Sequence, residues 1–228
     1  MSSPFNESAV KALFRTGGQL LKLVHQFNSA PAAYADPTWL EPLVPQDLFL
    51  RLRTTRRGAI RLSEILLIQH GLYNDTCYDF DTRSWRLALL PAEVMNQLSL
   101  YVGLSLQHRR IATMVDRVAL AGIKKDIGEQ AYTFAIKRAP LLTGKRSGVL
   151  PIWNGDGDFG SFSRHIGGAY ILSHFTQCPK AVAGRIAFKF PRAVSKIVAQ
   201  RFSEDNGWTF INRILIHEID PQWQTLFS

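Results

Sequence analysis

The chain has 228 residues, 46% of them hydrophobic and 20% charged, a mix that supports a sizeable core and excludes wholesale disorder. Its formal charge of +9 and pI near 9.8 favour an acidic partner: nucleic acid, an anionic membrane surface or an acidic protein. Two cysteines, Cys77 and Cys178, form neither a disulfide framework nor a metal-ligand pair, which fits a reducing compartment such as the cytosol, and the opening MSSPFNESAVKALF has no secretory-signal pattern.

Apolar residues from Glu7 to Phe27 fall at helical spacing, interrupted at Gly17-Gly18, so a kink or two short helices are expected. Pro31, Pro37, Pro42 and Pro45 make 28–45 a loop with one turn around Trp39. A short helix over Asp47–Arg53 precedes a second one carrying Ile60, Ile65, Leu66 and Ile68 and ending at Gly71. After a polar stretch from Tyr73 to Ser84, Pro91 opens a helix through LSLYVGLSLQHRRIATMVDR, residues 98–117. Its apolar start, already interrupted by Ser99, Gly103 and Ser105, falls short of the ~20 residues that span a bilayer. Leu100, Leu104, His108, Ile111, Val115 and Val118 share one stripe, with a break near His108 and with Arg109 and Arg110 turned outward.

Gly122 is expected to separate that helix from one bearing Ile123, Ile127, Ala131, Phe134 and Ala135. A glycine-rich loop follows over 143–160, then a helix from Ser161 to Phe175. Ile186, Phe188 and Phe190 alternate as in a short strand, while Val182, Ile186 and Lys189 also share a helical face. Final helices are expected over Val194–Phe202 and Trp208–His217. The fold class is mainly α: a compact helical domain with room for one short β element.

No catalytic, cofactor or metal constellation assembles. Gly144-Lys145 lacks the first glycine and the hydroxyl of a phosphate loop, with Ala139 and Arg146 in those places. Asn154–Asp158 begins like a calcium loop but puts Phe159 and His165 where glycine and glutamate are needed. His217-Glu218 meets Pro221 where a zinc protease has its second histidine. Positive charge is the stronger signal. Arg51, Arg53, Arg56, Arg57 and Arg61 form one cluster, and Lys180, Arg185, Lys189, Arg192, Lys196 and Arg201 a run without acids. Lys189-Phe190 and Arg201-Phe202 interleave cations with aromatics, the chemistry of phosphate contact and base stacking.

Four landmarks carry a family resemblance: Phe27–Tyr34 with Trp39-Leu40, Leu98–Ile111, Gly184–Pro191, and the tail from Ile211 to Phe227. Together they resemble SctK, the YscK-type accessory protein of bacterial type III secretion. The resemblance implies an SctK-like helical domain over 27–228, preceded by a helical extension over 1–26. It implies a non-enzymatic cytoplasmic adaptor at the cytosolic face of the inner membrane. Its partners would be the SctD ring's cytoplasmic domain and SctQ, and through them SctL and the SctN ATPase. The alternative is a basic nucleic-acid-binding protein. From charge alone, the candidate partner-binding residues are Arg51, Arg53, Arg56, Arg57, Arg109 and Arg110.

Overall fold

A computed structural model describes residues 18–41, 44–143, 153, 157–197 and 207–227. In chain order the helices are α1 (Gly18–Ser29), α2 (Gln46–Arg53), α3 (Arg56–Gln69), α4 (Ala92–Thr113), α5 (Arg117–Ile127), α6 (Glu129–Lys137), α7 (Ala139–Thr143), α8 (Phe159–Ser173), α9 (Lys180–Ala187), α10 (Arg192–Ile197), α11 (Gly207–Ile214) and α12 (Gln224–Phe227). Tight 3-10 turns at Pro31–Ala33, Pro37–Trp39, Arg83–Leu89 and Pro221–Trp223 join them. The described residues contain no strand, so the helical class is what the structure has. No described helix is long and apolar enough to cross a membrane.

Internal contacts divide the chain into two compact units. The first is drawn from Met1–Ala92, Phe175–Arg192 and Gln224–Ser228. Its core gathers aromatic rings from the turn region. Phe27 lies 6.0 Å from Tyr34 in a stacked pair and 5.8 Å from Phe80 edge-on. Trp39, His70 and Phe188 form an edge-on triangle with centroids 5.1–5.2 Å apart. Burying a ring such as Phe27 contributes about 1.5–3 kcal/mol. The Tyr34 hydroxyl donates to the Phe27 carbonyl at 2.7 Å, and Trp39 Nε1 to the Phe190 carbonyl at 2.7 Å, so neither ring strands its polar atom.

The second unit comprises Glu93–His174 and Ala193–Trp223. Helix α4 is its centre, buried from Leu98 through Ser105 and again at Gln107, His108 and Ile111. Side chains beyond hydrogen at two crossing points would make α4 and α8 collide: a Cβ on Gly103 would meet the Ser163 carbonyl, and one on Gly167 the Ser99 carbonyl. The glycines therefore let α4 and α8 approach backbone to backbone. Ser99 and Ser105, polar inside an apolar helix, donate back to the Met95 and Tyr101 carbonyls at 2.7 and 2.8 Å, which satisfies their hydroxyls locally. Tyr101 meets Phe134 of α6 at 4.7 Å, and Thr143 Oγ1 donates to the Ser105 carbonyl at 3.0 Å.

Several expected details differ. Helix α4 runs unbroken through His108, which is buried mid-helix with Nδ1 2.7 Å from the Ser105 carbonyl, not a boundary residue. The stripe stops at Ile111: Val115 and Val118 are 90% and 81% exposed, because α4 ends at Thr113 and Asp116 starts α5 by capping Val118 N at 2.8 Å. Gly122 lies inside α5; the break falls at Gly128, whose φ of +83° suits glycine. The alternation at 186–190 is no strand. Helix α9 ends at Ala187 and tightens into successive i→i+3 bonds, from Phe188 N to Arg185 O, Lys189 N to Ile186 O and Phe190 N to Ala187 O. Helix α8 begins two residues earlier than expected, capped by the Asp158 carboxylate on Gly160 N and Ser161 N. After Ile214 the last long helix widens into a π-turn over Leu215–Ile219. The helix break at Gly17, the phosphate-loop candidate and most of the 143–160 loop lie outside the described residues.

Candidate docking surfaces

In the first unit, α2 and α3 form a hairpin. Phe49 anchors α2 at 0% exposure. Thr55 caps α3 by accepting from Gly58 N at 3.2 Å. Helix α3 buries Leu62, Ser63, Leu66 and Leu67, and Ser63 Oγ accepts from Ala32 N at 3.1 Å. That register leaves Arg51, Arg56 and Arg57 exposed. Arg53 is different: it is half-buried, its guanidinium 5.5 Å from the Phe49 ring centroid and its Nη2 donating to the Ala33 carbonyl at 3.4 Å. Arg61 pairs with Glu64 at 2.9 Å.

In the second unit, the expected outward pair splits. Arg109 is exposed, whereas Arg110 is half-buried and donates from Nη2 to the Trp153 carbonyl at 2.7 Å. Arg110 thus ties Trp153 to α4. Arg138, the residue that caps the end of α6, meets Glu218 of the π-turn at 2.8 Å. Burial raises the Glu218 carboxyl from its ordinary range, opposed by Arg138 and then His217.

The second basic run is only partly surface: Lys180 and Arg192 are exposed, whereas Arg185 and Lys189 are interior. Arg185 is fully buried. Its guanidinium donates to the carbonyls of Leu72 (2.9 Å), Asp75 (2.5 Å), Ala181 (3.2 Å) and Asn28 (3.3 Å). Burial lowers its pKa from the usual guanidinium range, opposed by Tyr34 and Asp75. The same burial pushes the Tyr34 phenol far up, with the Arg185 charge pulling against it. One turn on, Lys189 is also buried; its ammonium donates to the Leu90 carbonyl and lies 4.9 Å from the Tyr34 ring and 5.7 Å from Phe27. Phe188 and Phe190 are 1% and 3% exposed. The Lys189-Phe190 pair, read as a nucleic-acid contact, is core. Arg201-Phe202 lies outside the described residues. Sequence reading missed Arg185 as an interior cation, although a signal existed: Ala181, Val182 and Phe188 at i−4, i−3 and i+3 put it on the apolar face of α9.

Among the remaining titratable groups, His70 is held below its ordinary range by burial and then by Arg192. Burial pushes the Cys178 thiol up to about 11 and raises Cys77 as well, which leaves neither a ready thiolate. Among the described residues no group of three or more His, Cys, Asp or Glu could hold a metal ion.

Comparison with protein families gives a match to the YscK model, described as "YOP proteins translocation protein K", over residues 22–224. The chain belongs to the YscK family. The matched span takes in the α2–α3 hairpin, the Arg185 site and all of α4. No curated protein sequence matches the chain. Among solved structures, the cytoplasmic domain of the type III secretion sorting platform protein PscK from P. aeruginosa is similar, with a TM-score of 0.51 and 20% identity, covering 85% of this chain and 90% of that chain. At that identity the likeness speaks for a YscK-type fold. The family landmarks, placed in the structure, are largely interior. Phe27 and Tyr34 stack in one core, Leu98–Ser105 fills another, and Gly184–Pro191 carries the two buried cations.

Proposed function

We propose that this YscK-family chain is a sorting-platform component of a type III secretion system and acts there as a non-enzymatic adaptor. It joins the cytoplasmic domain of the SctD ring to SctQ at the cytosolic face of the inner membrane, with SctL and the SctN ATPase reached through SctQ. The observation that carries this reading is the YscK family match over residues 22–224. Similarity of fold to the sorting-platform protein PscK supports it. The work of such a protein is positional: apolar patches supply burial and complementary charge selects the neighbour. The exposed Arg51, Arg56, Arg57 and Arg109 are the charges suited to that role, while Arg53 and Arg110 chiefly hold their own surroundings. The nucleic-acid alternative lost its described cation–aromatic pair to the core.

The test is reconstitution. The full chain, the SctD cytoplasmic domain and SctQ from the same bacterium are mixed in pairs and together, and their masses are read by light scattering. Two pairwise complexes and one ternary complex are expected. A chain that binds only one of them, or both in mutually exclusive fashion, is not the link.

A further inference from the structure

Helix α3 carries a second stripe opposite its core face. On helical geometry Arg57, Ile60, Arg61, Glu64 and Ile68 fall within an arc of about 100°, away from buried Leu62 and Leu66. Ile60 is 54% exposed and Ile68 59%, two turns and about 12 Å apart along the axis. On the adjoining α2, Leu48 and Leu50 are 41% and 44% exposed. Half of the eight large hydrophobic residues exposed among the described residues therefore lie on this one hairpin. Apolar side chains concentrated beside arginines are the composition of a recognition surface.

The charge says what covers it. Gln46–Gln69 holds five arginines, no lysine and two acids, Asp47 and Glu64. Arg61 answers Glu64, and among the described residues no carboxylate pairs with Arg51, Arg56 or Arg57. Guanidinium groups match carboxylates in two-pronged geometry better than ammonium groups do. The hairpin's one aromatic ring, Phe49, is fully buried, so nothing here stacks on a base. Its apolar side chains are Leu and Ile, half sunk into their own fold, without the Trp or Phe that interfacial membrane helices insert.

We infer that the α3 stripe receives an acidic amphipathic helix of a partner protein. Apolar residues of that helix sit over Ile60 and Ile68, and its carboxylates face Arg56, Arg57 and Arg61. The inference deepens the adaptor reading and rests on it: the incoming helix belongs to one of the two proteins the adaptor joins.

Calorimetric titration of the full chain against the SctD cytoplasmic domain and against SctQ decides it. Two variants are compared with the parent chain, Ile60→Ser/Ile68→Ser and Arg57→Glu/Arg61→Glu, both at solvent-facing positions. Each is expected to keep the parent's thermal midpoint and to weaken binding to one partner at least tenfold while leaving the other unchanged. If a variant melts early, Ile60→Lys/Ile68→Lys replaces it and the same loss is required. Unchanged affinity for both partners overturns the stripe as a docking site and leaves the adaptor reading intact. A parent chain that binds neither partner overturns the adaptor reading and the inference with it. The other occupants are tested with phosphatidylserine vesicles, a single-stranded DNA 20-mer and sedimentation of the chain alone. Membrane binding, DNA binding or self-association abolished by the Ile60/Ile68 change also overturns the inference.

Discussion

The α2–α3 hairpin and the Gly184–Pro191 segment belong to the same unit, and both are rich in cations. In the hairpin, Arg51, Arg56 and Arg57 point to solvent; in the segment, Arg185 and Lys189 point inward and spend their donors on carbonyls. Local charge density does not separate the two cases. Helical register does. Arg57 sits across the helix from Leu62 and Leu66, while Arg185 shares its face with Ala181 and Val182. A basic run is therefore a statement about surface only after each cation has been assigned a face.

The sharpest way to break this comparison is Arg185→Met. The side chain fits the space, but the carbonyls of Leu72, Asp75 and Asn28 lose their donor. Leaving a buried acceptor unsatisfied costs about 1–3 kcal/mol per group, and several are lost together, so urea unfolding should show a collapse in stability. Arg185→Lys should recover only part of it, since an ammonium cannot fork to carbonyls in several directions. A smaller loss is expected for Gly103→Ala in the second unit, where the added methyl meets the Ser163 carbonyl; overpacking of this kind costs about 1–3 kcal/mol, readable as a lowered melting temperature.

Next in size is a pH effect at His70. Its folded pKa lies below the ordinary histidine value because burial and Arg192 disfavour the charged ring. Its Nε2 is buried without a hydrogen-bond partner among the described residues, between Trp39 and Phe188. As pH falls below about 6.5, the unfolded chain takes up a proton that the folded chain refuses. Stability therefore drops on acidification, and the contribution is complete at pH 7 and above. His70→Phe should flatten the difference in unfolding midpoint between pH 7.5 and pH 5.5. The smallest effect on stability belongs to the hairpin: Arg56→Glu/Arg57→Glu should shift it by no more than about 0.5 kcal/mol. Its consequence appears in partner binding and in that binding's dependence on salt.

Much of the helical plan was legible because its stripes are regular. Leu98 through Ile111, the Asp47–Arg53 helix and the end near Gly71 follow from apolar spacing and breakers. What was not legible depended on tertiary partners. Val115 and Val118 continue a stripe that the Asp116 cap cuts off. The 186–190 alternation imitates a strand in sequence, but the tightened helix end buries Lys189 along with Ile186, Phe188 and Phe190. Of the six candidate arginines, Arg53 and Arg110 found local acceptors that no spacing rule reveals, in Ala33 and Trp153. Ile60 and Ile68, the apolar half of the proposed docking stripe, marked the helix but not the face they occupy; the structure leaves both exposed.

The Arg185 site also sets an order of events during synthesis. Its acceptors at Asn28, Leu72 and Asp75 leave the ribosome long before their donor, because residues 93–174, which belong to the other unit, are made in between. At about 5–20 residues per second, the wait from Ala92 to Arg185 lasts roughly 5–20 seconds. Until α9 emerges, the carbonyls of Asn28, Leu72 and Asp75 have no Arg185 to donate to them.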